Sequence, residues 1–141
     1  MKQPPHELCY SHAARGSARF LSRLYDRHLA PVGINIQQLT ILSMILHKPG
    51  ILIADLAEQM IMERTTLVRA LVPLQKAGFV ATEAAGSGRS LSLTVSKPGL
   101  QKVLAAQPLW SNAQQEFETK FGAEKAKRLR NAMQEASSLD K

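Results

Sequence analysis

The sequence predicts a mainly helical fold of the α+β kind, with one small β-hairpin as its only sheet signal. Three observations carry this prediction. Apolar residues recur at three and four through most of the chain, and residues 79–83 and 91–95 are its two longer runs that favour extended backbone. Glycine- or proline-containing turns separate the periodic segments at Pro31–Gly33, Pro49–Gly50, Gly78, Gly86–Gly88 and Pro98–Gly99.

The first helix is expected over residues 7–30, where Ala14, Ala18, Leu21, Leu24, Tyr25 and Leu29 form one face. Arg15, Arg19, Arg23 and Arg27 recur every fourth residue on the other face, as a solvated ladder or as phosphate or subunit contacts. A second helix follows over 35–47, apolar nearly all round as a central helix would be, and Pro49-Gly50 stops it. Residues 51–53 fit a very short strand, and 54–60 a short third helix with Leu56, Ala57 and Met60 inward. The fourth helix, 64–77, has Leu67, Leu71 and Leu74 on one stripe and Thr65, Thr66, Arg69, Pro73 and Lys76 on the other. Pro73 removes one of its backbone hydrogen bonds. The two β-like runs join through the glycine-containing segment 84–90 as a hairpin. Ser96 then caps a long fifth helix reaching residue 121, in which Gly99 is expected to weaken the first turn, and 123–137 form the sixth.

At 141 residues, with 45% hydrophobic and 21% charged residues, the chain can bury a core without disulfides or metal. No repeat or linker divides it, so a single domain over 1–141 is expected. No leader-like stretch or run of 18 apolar residues occurs, which predicts a cytoplasmic protein that does not enter a membrane. The net charge is +7 and the pI near 9.9, which makes nucleic acid a plausible partner. The excess is concentrated near the N-terminus: residues 1–50 hold six Lys/Arg against two acids, but residues 51–99 only five against four.

A short helix, a tight turn, a helix with a hydroxylated and basic outer face, and then a basic-tipped hairpin together make a winged helix-turn-helix. Such a unit presents Thr65, Thr66 and Arg69 to base edges in the major groove, which is wide enough to admit a helix. Its wing brings Arg89 to the backbone or the minor groove, where negative potential is high.

The segments Leu56-Ala-Glu-Gln-Met60, Met62-Glu-Arg-Thr-Thr-Leu67, Arg69-Ala-Leu71 and Leu74-Gln-Lys-Ala-Gly-Phe-Val80 closely resemble the MarR family of bacterial regulators. Arg23-Leu-Tyr-Asp26, Leu29-Ala-Pro-Val-Gly-Ile34 and Gln38-Leu-Thr-Ile-Leu42 resemble that family's first two helices, so that the likeness covers roughly residues 8–136. The resemblance implies a homodimer joined through helices of residues 1–34 and 100–141, with a DNA-binding lobe over 35–99. It further implies a repressor on a pseudo-palindromic double-stranded operator, with half-sites roughly 10 base pairs apart. A small phenolic or aromatic effector, or oxidation of a cysteine, would release it. By the same resemblance Arg64, Thr65, Thr66 and Arg69 match the start of the recognition helix, and Arg89 matches the wing arginine. Three departures stand out: Ser87 replaces the wing aspartate, Ala70 replaces a common asparagine, and Val68 replaces a common threonine. Specificity is then expected to lean on Arg69, Arg64 and DNA shape.

Cys9 is the only cysteine, which excludes an internal disulfide and a thiolate zinc cage and leaves either a redox sensor or an inert thiol. His6, Cys9 and His12 would approach one another on a continuous helix, but one ligand short of a metal site, so no metal and no cofactor is expected. Tyr10, Tyr25 and Trp110 are candidates for an effector pocket between the first, second and fifth helices, against the alternative of core packing. No nucleophile-and-base arrangement, phosphate loop or paired carboxylates occur in a catalytic context, so an enzyme is not expected. The alternative to a DNA-binding regulator is a winged-helix module that binds a protein or senses a ligand without specific DNA contact.

Overall fold

The computed structural model describes residues 3, 5–86 and 90–140. After a 3-10 turn, His6–Leu8, the chain forms α1 (Tyr10–Leu29), a second 3-10 turn (Ala30–Val32), α2 (Ile36–His47), β1 (Ile51–Leu52), α3 (Ile53–Gln59) and α4 (Arg64–Lys76). It continues as β2 (Val80–Ala85), β3 (Ser90–Val95), α5 (Lys97–Phe121) and α6 (Ala123–Ala136). The element order is the one the sequence predicts, with boundaries shifted by a few residues.

Capping residues explain most of those boundaries. Asn35 and Gln38 form a reciprocal box at the start of α2, the Gln38 N–H donating to Asn35 Oδ1 at 2.8 Å and the Asn35 N–H to Gln38 Oε1 at 2.9 Å. The Asp26 carboxylate accepts from the Ile36 N–H at 2.7 Å, so α1 itself holds the entry to α2. α2 is the central helix: Leu39, Ile41, Leu42 and Ile45 are all buried, which accounts for its lack of a polar face. Leu56 and Ala57 of α3, the Leu67-Leu71-Leu74 stripe of α4, Ile51 of β1 and Leu93 of β3 close one core around it.

The sheet has three antiparallel strands in the order β1-β3-β2. The hairpin runs in register from Val80 opposite Val95 to Ala85 opposite Ser90, which confines its tip to residues 86–89. Ile51 lies opposite Leu93, so the short β1 anchors the hairpin to the core.

Where the hairpin returns, Ser96 joins three elements. Its N–H donates to the Phe79 carbonyl at 3.0 Å, its Oγ donates to the Gly78 carbonyl, and that Oγ also accepts the Gly99 N–H at 3.2 Å. Gly99 is buried, and a Cβ there would sit on the Phe79 carbonyl oxygen and 2.7 Å from Val95 Cγ1. The weakened first turn expected from Gly99 is therefore a close-packed one, because only a residue without a side chain lets α5 approach the end of α4. Lys102 secures the next turn of α5, donating to the Val32 carbonyl at 2.8 Å.

α5 also packs along α1, where the Glu116 carboxylate gathers three basic groups. Arg27 Nη2 lies 2.6 Å from Glu116 Oε2, His28 Nε2 3.0 Å from Oε1, and Lys120 Nζ 3.2 Å from Oε2. Of the arginine ladder, only Arg27 is ion-paired among the described residues. These partners, Arg27 foremost, hold the Glu116 carboxyl at about 2, below its ordinary 4.5.

Replacing Gly99 with Ala is expected to destabilise the fold by about 1–3 kcal/mol, as overpacking against backbone does. A urea midpoint equal to that of the wild type would contradict this. Because the folded pKa of Glu116 is depressed, the stabilisation it provides is complete above pH 4.5 and is lost as the pH falls toward about 2. Urea midpoints measured across that interval should fall less steeply in Glu116→Gln than in the wild type, and parallel curves would remove Glu116 from the acid response.

Candidate nucleic-acid interface and effector cleft

The helix-turn-helix is made by α3, a four-residue connection and α4. The connection is held by backbone bonds: the Met60 N–H donates to the Leu56 carbonyl at 2.9 Å, Ile61 to Glu58 at 3.1 Å and Met62 to Ala57 at 2.9 Å. To make that turn Ile61 adopts φ +53, in the left-handed region that a β-branched side chain disfavours, and it remains exposed.

α4 buries Leu67, Leu71 and Leu74 and turns Arg64, Thr65, Thr66, Val68, Arg69, Val72 and Lys76 to solvent. Neither Arg64 nor Arg69 is engaged in an ion pair among the described residues. Glu63, at the N-cap, makes no side-chain bond to the first turn, so the leading N–H groups of α4 lack a side-chain acceptor. An exposed helix start of this kind, followed by unpaired guanidinium groups, suits phosphate oxygens. Pro73 lies within α4 without ending it, and the Ala77 N–H still reaches the Pro73 carbonyl at 3.0 Å. Of the wing candidates, Ser87 and Arg89 lie outside the described residues.

The structure separates the three aromatic candidates. Trp110 faces a cleft of about 530 Å³ between α2 and α5, with Met44 and His47 on one side, Val103 and Gln107 on the other, and Gln59 of α3. Tyr10 and Tyr25 face a different, mainly apolar groove of about 650 Å³ between α1 and α6, beside Ala14, Ala18, Leu129 and Met133. The reason is geometric: α5 turns Trp110 toward α2, whereas both tyrosines are carried by α1. Burial, and secondarily the charge of Glu118, pushes the Tyr25 phenol above its ordinary value.

The cleft beside Trp110 combines an apolar wall with polar groups from Thr40, Ser43, His47, Gln59 and Gln107, a lining suited to a planar apolar molecule with polar edges. No motif in the sequence marks Thr40, Ser43, Gln59 and Gln107 as ligand contacts. Their signal is the spacing of Thr40, Met44 and His47 on α2 and of Val103, Gln107 and Trp110 on α5, each set falling on one helix face.

Cys9 is exposed and precedes α1 as its N-cap in extended conformation, with Sγ accepting the His12 N–H at 3.5 Å. The helix is therefore not continuous through His6, Cys9 and His12, as the metal geometry had required. Among the described residues no group of three His, Cys, Asp or Glu side chains is placed to hold a metal ion. No single helix among them is long and apolar enough to cross a membrane.

Residues 32–90 match the model of the MarR family. Among proteins of curated function, none matches the chain in sequence. Of solved structures, the chain is similar to the Mycobacterium tuberculosis transcriptional regulator MosR in complex with DNA, at 28% identity over 94% of this chain and 99% of that one, with a TM-score of 0.80. It is similar in fold to the transcriptional repressor CouR bound to a 23-mer DNA duplex, at 17% identity over 97% and 98% of the two chains, TM-score 0.83. CouR from Rhodococcus jostii RHA1 bound to p-coumaroyl-CoA shares the fold at 12% identity over 99% of each chain, TM-score 0.80. A mutant of Escherichia coli MarR complexed with operator DNA does so at 18% identity over 89% and 91%, TM-score 0.80.

Ile61→Gly is expected to raise stability by about 1 kcal/mol, since relief of backbone strain exceeds the extra chain entropy glycine loses. The urea midpoint should rise; a lower one would show that contacts of the Ile61 side chain outweigh its strain.

Proposed function

Since residues 32–90 belong to the MarR family and the whole chain carries that fold, we propose that the protein is a sequence-specific, double-stranded-DNA-binding transcriptional repressor acting as a homodimer. The observation that carries this reading is the outward face of α4, where Arg64, Thr65, Thr66 and Arg69 are all exposed and both arginines are free of ion pairs among the described residues. The DNA complex of MosR, at 28% identity, supports it. Arg69 is assigned to a base edge, and Arg64 with the start of α4 to phosphates. Arg89, which the resemblance matches to the wing arginine, is assigned to the adjacent minor groove.

The dimer surface is assigned to the terminal segments, 1–34 and 100–141. Tyr10 is 93% exposed, Leu139 78%, Leu8 72%, Leu104 62% and Phe20 58%, more apolar surface than a lone chain would leave to water. A second copy covering the α1–α6 groove would bury Tyr10 together with the apolar lining of that groove. Residues 35–99 are then assigned to the DNA-reading lobe, and a protein that binds an operator is assigned to the cytoplasm.

Release from DNA is assigned to a small aromatic or phenolic molecule in the Trp110 cleft, which touches α2, α3 and α5 together. CouR's complex with p-coumaroyl-CoA supports ligand control within this fold. A redox signal would act instead through Cys9, the only thiol in the chain.

The test is a fluorescence-anisotropy titration of the purified protein onto its own upstream DNA at fixed physiological salt, against a scrambled duplex. A preference on the order of 10³-fold is expected, and Arg69→Ala should weaken operator binding by about 1–3 kcal/mol while leaving the scrambled duplex unaffected. Peroxide added to the wild type and to Cys9→Ser separates the two signals. Equal affinity for both duplexes, extended to a randomised pool, would return the chain to a winged-helix interaction module.

A further inference from the structure

The polar groups of α4 account for only part of its outer face. Thr65, Val68, Arg69 and Val72 are neighbours at i+3 and i+4 and form one contiguous patch on the solvent side of the helix. Two of the four are aliphatic: Val68 is 44% exposed and Val72 38%. Neither belongs to the core cluster or packs against it, unlike Ala70 between them. A β-branched residue lowers helix propensity relative to alanine, and over a third of each valine stays in water outside the core cluster, so core packing does not account for either valine.

DNA provides a reason for them. In the major groove the one methyl group presented by any base edge is the C5-methyl of thymine, set among hydrogen-bond donors and acceptors. Val68 lies one turn beyond Arg64 and immediately before Arg69, on the face through which a recognition helix reads bases. Its restricted χ1 means that little rotamer freedom is lost when its methyl groups meet another. We propose that Val68, flanked by Val72 and the methyl of Thr65, reads the C5-methyl of a thymine next to the base pair contacted by Arg69. The replacement of a hydroxyl at position 68 is then an exchange of one readout for another. This inference rests on the assignment of α4 to the major groove.

Uracil tests it, because it lacks only the methyl and keeps the pairing and groove-edge oxygen of thymine. A duplex selected from a randomised pool by the full-length protein is resynthesised with deoxyuridine at each thymine in turn, and binding is measured at fixed salt. One thymine per half-site should show a loss of about fourfold when replaced, and about sixteenfold when both half-sites are changed, as expected for one buried methyl each. In Val68→Ala, a surface change that favours the helix, that penalty should fall to within twofold of none. A selected duplex indifferent to uracil at every position overturns the inference and leaves the regulator intact, as does a penalty undiminished in Val68→Ala. A pool that yields no preferred duplex overturns both.

Discussion

The absence of a side chain at Gly99 lets the start of α5 lie against the Phe79 carbonyl, and the way α4, the hairpin and α5 meet depends on that approach. Three elements meet there: α4 ends at Lys76, two residues before Gly78, the hairpin leaves from Val80 and returns to Val95, and α5 begins directly after Ser96. Ser96 bonds both carbonyls of the Gly78-Phe79 pair and caps α5 with the same hydroxyl. The end of α4, the β2–β3 hairpin and α5 therefore share one corner, joined through Ser96. Asp26 and Lys102 repeat this arrangement on the far side of the lobe, tying α1 to the entry of α2 and α5 to the end of the first helical segment.

The cleft beside Trp110 lies on this same frame. Its walls are the central helix α2 and the early turns of α5, with Gln59 of α3 completing it. On the proposed reading, a molecule in this cleft would meet the polar groups around Trp110 and the apolar side chains of Met44 and Val103.

Much of this architecture is legible in the sequence because its boundaries are written in local chemistry. Asn35 with Gln38, Ser96, Gly78 and Gly122 each mark a helix end through capping or a left-handed or extended glycine, and these positions agree with the structure. The face of α4 is equally plain, since three leucines at helical spacing leave only one side for solvent. What escaped are features that depend on residues distant in the chain. Gly99 looks unfavourable for a helix until Phe79, twenty residues earlier, is seen against it. Glu116 reads as an ordinary surface acid, yet it joins Arg27 and His28 across the α1–α5 crossing. The tyrosines and Trp110 seem one aromatic group in composition but are divided by the helices that carry them. Val68 reads in the sequence as a missing hydroxyl, and its exposure on the outer face shows an apolar group there instead.

The shared corner also determines where this protein can be cut and recombined. A chimera that took a foreign lobe and joined it at residue 95 or 96 would set this chain's Gly99 and the Ser96 hydroxyl against a stranger's backbone in place of the Gly78-Phe79 pair. Crossovers placed in the Gly33–Asn35 turn and beyond Lys102 carry the corner as a unit, together with the glycine that makes it possible. The transferable module is thus longer than the winged helix itself by the first turns of α5, and exchange of specificity between related chains must respect that seam.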